Sequence, residues 1–165
     1  MKIKVIQKEK FNILRLWLYP SKAPLMPITK REEEYANELK IKKAYQYKHS
    51  RGYIRSSLSK IFNIDPLKIP LFAPPRGIPK LSSKLGHISI SHCRDSLLIG
   101  WSIKNIGVDI ERSDRSFPPK QLSKRFFSKE DNKYLDKFDK NIYREKVLEQ
   151  WVVKESATKW QESKC

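Results

Sequence analysis

Asp109 and Glu111 stand two residues apart in the stretch Gly107-Val108-Asp109-Ile110-Glu111. Residues two apart on a strand share a face. Val108 and Ile110 would then turn into a core, and the two carboxylates would be presented together from a rigid support. Hard divalent cations take oxygen ligands of this kind, and Mg²⁺ commonly uses one or two carboxylates plus substrate phosphates. On spacing alone a plainer reading carries more weight: an amphipathic edge strand with its polar face in water, because two acids at this spacing are a weak motif.

The segment near the C-terminus says more. Leu148, Trp151 and Val152 form an apolar stripe at helical spacing. Glu155 follows Trp151 by one turn, so it is expected to continue the stripe, where a carboxylate needs a partner, a metal or a catalytic task. Lys159 is a further turn along the same face and Lys154 flanks the site. The plainer alternative is an ordinary surface Glu–Lys pair. Ser91-His92 ends an alternating stretch. With no G-x-S-x-G elbow around it, it reads as a donor pair for anionic oxygens rather than as a hydrolase nucleophile. In the basic run Lys40, Lys42, Lys43, Lys48, Arg51, Arg55 and Lys60, most members read as a solvated face. Arg51 and Arg55, one turn apart beside apolar residues, are the pair suited to bidentate phosphate contact.

The elements that must position these residues are mixed. Residues 2–20 alternate apolar and basic and suggest one or two strands. Pro20, Pro24 and Pro27 mark a loop. Thr29 followed by Glu32 forms a capping box for a helical stretch over about 30–62, with a break expected near His49-Ser50. Five prolines between Pro66 and Pro79 impose extended segments and turns. Residues 86–103 read as two strands, the second more buried, and residues 105–111 as a third. After Pro118-Pro119, helical segments are expected over about 120–138 and 141–160. The fold class is α+β.

The chain has 165 residues with 39% hydrophobic and 32% charged residues, enough for one domain or two small lobes and too apolar for wholesale disorder. No run of apolar residues is long enough to span a membrane, and the N-terminal stretch lacks a secretory pattern. Cys93 and Cys165 are a poor disulfide framework, which points to a reducing cytoplasm. With three histidines and no paired ligand spacing, they also argue against zinc. The net charge of +17 calls for a polyanionic partner, or reflects a generally lysine-rich surface.

In order along the chain stand Ile88-Ser89-Ile90-Ser91-His92, Gly107-Val108-Asp109-Ile110-Glu111, Arg125-Phe126-Phe127-Ser128 and Trp151-Val152-Val153-Lys154-Glu155-Ser156-Ala157-Thr158-Lys159. This resembles the Sfp-type 4′-phosphopantetheinyl transferases, whose strings read approximately (F)N(I/L)SH, G(I/V)D(I/V)E, (R)FFS-x-x-E and W-x-x-KE(S/A)-x-x-K. Upstream, Arg51-Gly52-Tyr53-Ile54-Arg55 and Ile64-Asp65-Pro66 look like the family's first lobe. The resemblance spans about residues 28–160. Its specific part is the combination of the GVDIE and WVVKES-x-x-K strings.

The resemblance implies a pseudo-dimer of two similar lobes, here 1–103 and 104–165, with coenzyme A in the cleft between them. It implies transfer of the phosphopantetheine arm to a serine of an acidic acyl or peptidyl carrier protein, with release of 3′,5′-ADP. By position, Asp109, Glu111 and Asp131 would ligate Mg²⁺, with Glu130 competing for the third place. Glu155 would be the general base or a further metal carboxylate, acting with Lys154 and Lys159 on the pyrophosphate. Arg31, Arg51, Arg76, Ser91 and His92 would hold the coenzyme A phosphates. Where the family commonly has G-K-P, Gly77-Ile78-Pro79 stands here, flanked by Arg76 and Lys80. The chain stops soon after Lys159, so the second lobe is expected to be incomplete. A monomer without membrane or specific nucleic-acid contacts is expected. The competing readings are a basic nucleic-acid binder and an inactive remnant that only docks carrier proteins.

Overall fold

A computed structural model describes the backbone of residues 2–5, 14–72 and 77–162. The elements in order are β1 (Lys2–Val5), β2 (Leu14–Pro20), α1 (Lys30–Asn37), α2 (Ile41–Phe62), β3 (Leu71–Phe72), β4 (Lys80–Leu81), β5 (His87–His92), β6 (Ser96–Ser102), β7 (Val108–Glu111), α3 (Pro119–Phe126), α4 (Lys129–Leu135) and α5 (Lys140–Glu162). The fold is α+β.

The capping box at Thr29 forms: the Glu32 amide donates to Thr29 Oγ1 at 3.3 Å and the Thr29 amide to Glu32 Oε2 at 2.9 Å. The same buried carboxylate accepts two bonds from Arg55 on α2, Nε at 2.8 Å and Nη2 at 3.0 Å. Burial alone would raise the Glu32 carboxyl, but the bonds from Arg55 and Thr29 outweigh it and hold the group below its usual value. The expected break near His49-Ser50 lies instead at residues 38–40, between α1 and α2. The helix runs through 49–50 because both residues are buried there: His49 packs on Tyr53, and the Ser50 hydroxyl bonds back to Tyr47 O at 3.0 Å.

Strands β2, β6 and β5 form an antiparallel sheet in that order. Strand β6 is buried on both faces, as its continuous apolar run requires. Leu97, Ile99 and Trp101 meet Tyr53, Ile54 and Leu58 of α2, while Leu98 meets Ile106, Val108 and Ile110. Strand β7 pairs antiparallel with β1. The helical segment expected over 120–138 is two helices. Phe127 takes an extended conformation and turns into a third cluster with Leu135, Tyr143 and Val147, and Ser128 restarts the chain as the cap of α4. Among the described residues no helix is long and apolar enough to cross a membrane.

Candidate functional site

Strand β7 alternates as its sequence predicts: Val108 and Ile110 lie in the core, and Asp109 and Glu111 point to the opposite face. Two contacts set where that face sits. The Val108 amide donates to Ser89 Oγ at 3.1 Å, tying β7 to β5. Gly107 allows α5 to pass at backbone distance, because a Cβ there would stand 1.9 Å from Ser156 O and 2.6 Å from Trp160 N. The strand therefore lies directly on the last turns of α5, which carry Lys159.

Asp109 is buried at the meeting point. Its Oδ1 accepts from Ser91 Oγ at 2.6 Å and from Lys159 Nζ at 2.7 Å, and its Oδ2 is buried with no partner among the described residues. Glu111 accepts an ion pair from Arg115. Burial pushes the Glu111 carboxyl up; Arg115 opposes this and the neighbouring Asp109 charge reinforces it. His92, next to Ser91, is driven down to about 4 by burial, with smaller pushes from His49 and Lys159, so its ring is neutral near pH 7. Its Nε2 is also buried, with no partner among the described residues.

His92 opens onto a cleft of about 660 Å³ whose walls include Lys40, Lys43, Tyr47, Arg51 and Gly77. Arg51 is only 5% exposed, and its guanidinium lies 5.0 Å over the Tyr47 ring. Its Nε and Nη1 have no partner among the described residues, and burial lowers its proton affinity. A buried guanidinium with two idle donors, beside an imidazole with an idle nitrogen, is costly in the absence of an anion.

Ser91, Asp109 and Lys159 are joined by direct bonds, Glu111 and His92 adjoin them, and Arg51 shares the cleft with His92. Glu155 is half-buried and has no hydrogen-bond or ion-pair partner among the described residues; the buried stripe of α5 passes through Val152 and Ser156 instead, leaving Glu155 at its border. Arg31 is exposed on α1 and is not among the residues lining the cleft. Arg76 lies outside the described residues. Lys154 pairs with Asp131 at 2.7 Å and lies over the Phe127 ring. Asp131, expected as a third metal carboxylate, is engaged there and in the cap of α4, where it accepts from the Ser128 amide at 3.1 Å; Glu130 is exposed beside it. Among the described residues no group of three or more His, Cys, Asp or Glu is arranged to hold a metal. Lys40 and Lys43 read as solvated lysines in sequence. Their place on the cleft follows from the break at 38–40, for which residue type supplies no signal.

The β7 pair nevertheless fits a hard cation. It offers two carboxylates on one face, one with an idle buried oxygen and the other raised in part by its neighbour's charge, the repulsion a divalent ion relieves. Fold and site together define an α+β protein with a cleft lined by Lys40, Lys43, Arg51 and His92, beside a carboxylate pair. The family model described as the 4′-phosphopantetheinyl transferase superfamily matches residues 105–165, a little over a third of the chain. The match takes in β7 and α3–α5, and with them Asp109, Glu111, Asp131, Lys154, Glu155 and Lys159. A comparison with curated proteins returns no match.

Proposed function

We propose that this protein is an Sfp-type enzyme that transfers the 4′-phosphopantetheine group of coenzyme A to a serine of an apo acyl or peptidyl carrier protein and releases 3′,5′-ADP. The observation that carries the reading is the set of idle buried groups on one cleft, Arg51 and His92, adjoining the Asp109 carboxylate and its idle oxygen. Residues 1–103 and 104–165 would act as the two lobes, with the diphosphate between them.

Asp109 and Glu111 are the residues that would hold Mg²⁺, whose contribution when bound is to offset charge on the diphosphate oxygens. Arg51, His92, Lys40 and Lys43 donate to the phosphates of the nucleotide half and hold them in the cleft. Ser91 and Lys159 fix Asp109, and Lys159 adds positive charge where the leaving oxygen gains negative charge. The serine oxygen of the carrier bonds to the phosphorus bearing the pantetheine arm, and the bond from that phosphorus to the bridging oxygen breaks. The serine proton passes to Glu155, whose carboxylate has no competing partner among the described residues. The net charge of +17 steers an acidic carrier toward the enzyme.

The test is incubation with coenzyme A, Mg²⁺ and an apo carrier protein, read by mass spectrometry for addition of one phosphopantetheine. Asp109→Ala and Glu155→Gln abolish the addition with unchanged circular dichroism. Full transfer by either variant removes that residue from the mechanism, and no transfer by the wild type with any carrier refutes the assignment.

A further inference from the structure

We infer that Arg115 is a gate on the cation-binding strand: it occupies Glu111 until a diphosphate arrives, so that divalent metal and nucleotide bind together rather than metal first. This rests on the reading that Asp109 and Glu111 hold the cation.

Both carboxylates of β7 carry an internal cation, Lys159 on Asp109 and Arg115 on Glu111. The two differ in mounting. Lys159 projects from α5 into a largely buried contact, whereas the Arg115 side chain is 42% exposed on the loop that follows β7. The backbone of that loop is held at several points. The Arg115 amide donates to Arg112 O at 3.2 Å. The Arg112 side chain pairs with Asp95, on the β5–β6 turn, and with Asp114. Arg144 on α5 donates to Ser113 O at 2.8 Å and to the Arg115 carbonyl. The backbone of Arg115 is thus held from two sides, and its guanidinium is the part free to move.

A divalent ion that takes Glu111 competes with this guanidinium for the carboxylate, and a displaced guanidinium then needs another anion. A diphosphate arriving with the ion supplies one, and a planar guanidinium suits phosphate oxygens. Metal alone offers no such exchange. The displaced contact is an exposed ion pair, so the resistance it adds is modest but measurable.

The experiment measures binding of Mn²⁺ as probe to the full chain, read as loss of the free-ion paramagnetic resonance signal, with and without coenzyme A and with no carrier present. Wild type takes up Mn²⁺ weakly alone and more tightly with coenzyme A. Arg115→Gln binds Mn²⁺ alone about fivefold tighter than wild type, and its gain from coenzyme A shrinks. Arg115→Lys keeps the charge and stays close to wild type. Arg115→Ala repeats the measurement with a second neutral side chain, and melting curves establish that each variant is folded. Equal Mn²⁺ affinity of wild type and the neutral variants without coenzyme A overturns the gate while leaving the site intact. No Mn²⁺ uptake by wild type under either condition, or uptake unchanged in Asp109→Asn, overturns the site and the gate with it.

Discussion

Lys159 Nζ lies 2.7 Å from Asp109 Oδ1, joining residues fifty positions apart. Asp109 is nearly enclosed and Lys159 about one quarter exposed. Removing the amine leaves a buried carboxylate with only the Ser91 hydroxyl. Lys159→Met is expected to cost about 1–3 kcal/mol of unfolding free energy. The double variant with Asp109→Asn should lose less than the sum of the two single losses, by about 1–2 kcal/mol, in urea denaturation. Strict additivity would mean that the pair does not couple.

Gly107 sets the approach of β7 to α5. A methyl group there cannot be accommodated by a side-chain rotation, because the obstructing atoms are Ser156 O and Trp160 N of the helix backbone. Gly107→Ala should destabilise the protein by about 3 kcal/mol or more and shift Asp109 off Lys159. Equilibrium unfolding tests the first, and loss of the Lys159–Asp109 coupling the second. A variant as stable as wild type would show that strand and helix can part without cost.

What was legible in the sequence was local or periodic. The Thr29–Glu32 cap depends on residues three apart, and the two faces of β7 depend on a period of two, so both stand in the structure as the sequence predicts. The start of α2 was not legible. Leu39-Lys40-Ile41 contains no breaker, and α1 is held separately against α2 by the Glu32–Arg55 pair, 23 positions apart. The partners of Asp131 were hidden for a related reason: its ion pair needs α4 packed on α5, and a period cannot report which helices touch. Lys40 and Lys43 carry the same side chain as their solvated neighbours, so only tertiary placement separates them.

Arg51 should show a trade between stability and binding. Its charge is buried with two donors that have no partner among the described residues, and Tyr47 and the Glu32 charge offset that burial in part. Arg51→Met is expected to raise the unfolding free energy of the free protein by about 1 kcal/mol or more. The same variant should bind coenzyme A at least about tenfold more weakly, since bonds to charged groups contribute about 1.5–3 kcal/mol. Calorimetry supplies both numbers. A variant that is both less stable and unimpaired in binding would assign Arg51 to the core rather than to the cleft.

His92 makes stability depend on pH. Its folded value is about 4 against an ordinary 6.5, mainly because burial disfavours the charged ring. A depressed value means that the unfolded chain binds the proton more readily. The His92 contribution is therefore complete above pH 6.5 and is lost as pH falls toward about 4, to a total of up to about 3 kcal/mol. His92→Gln should flatten the stability profile across that interval. Coenzyme A, placing phosphate beside the ring, should pull the His92 titration upward in a proton NMR experiment. An unchanged titration would remove His92 from the phosphate site.

Asp131 separates a cap from a metal ligand. Its carboxyl is held low, chiefly by Lys154, with the Ser128 amide helping. Both partners join α4 to its surroundings: Ser128 begins the helix, and Lys154 belongs to α5. Asp131→Asn keeps the side-chain shape but weakens the cap and removes the ion pair, so a loss of about 1 kcal/mol in unfolding free energy is expected. Metal affinity should stay at the wild-type value if, as proposed, Asp109 and Glu111 hold the cation. Calorimetric titration with Mn²⁺ in the presence of coenzyme A decides the point. A tenfold loss of Mn²⁺ affinity without loss of stability would return Asp131 to the metal site and would require α4 to release Lys154 when the nucleotide binds.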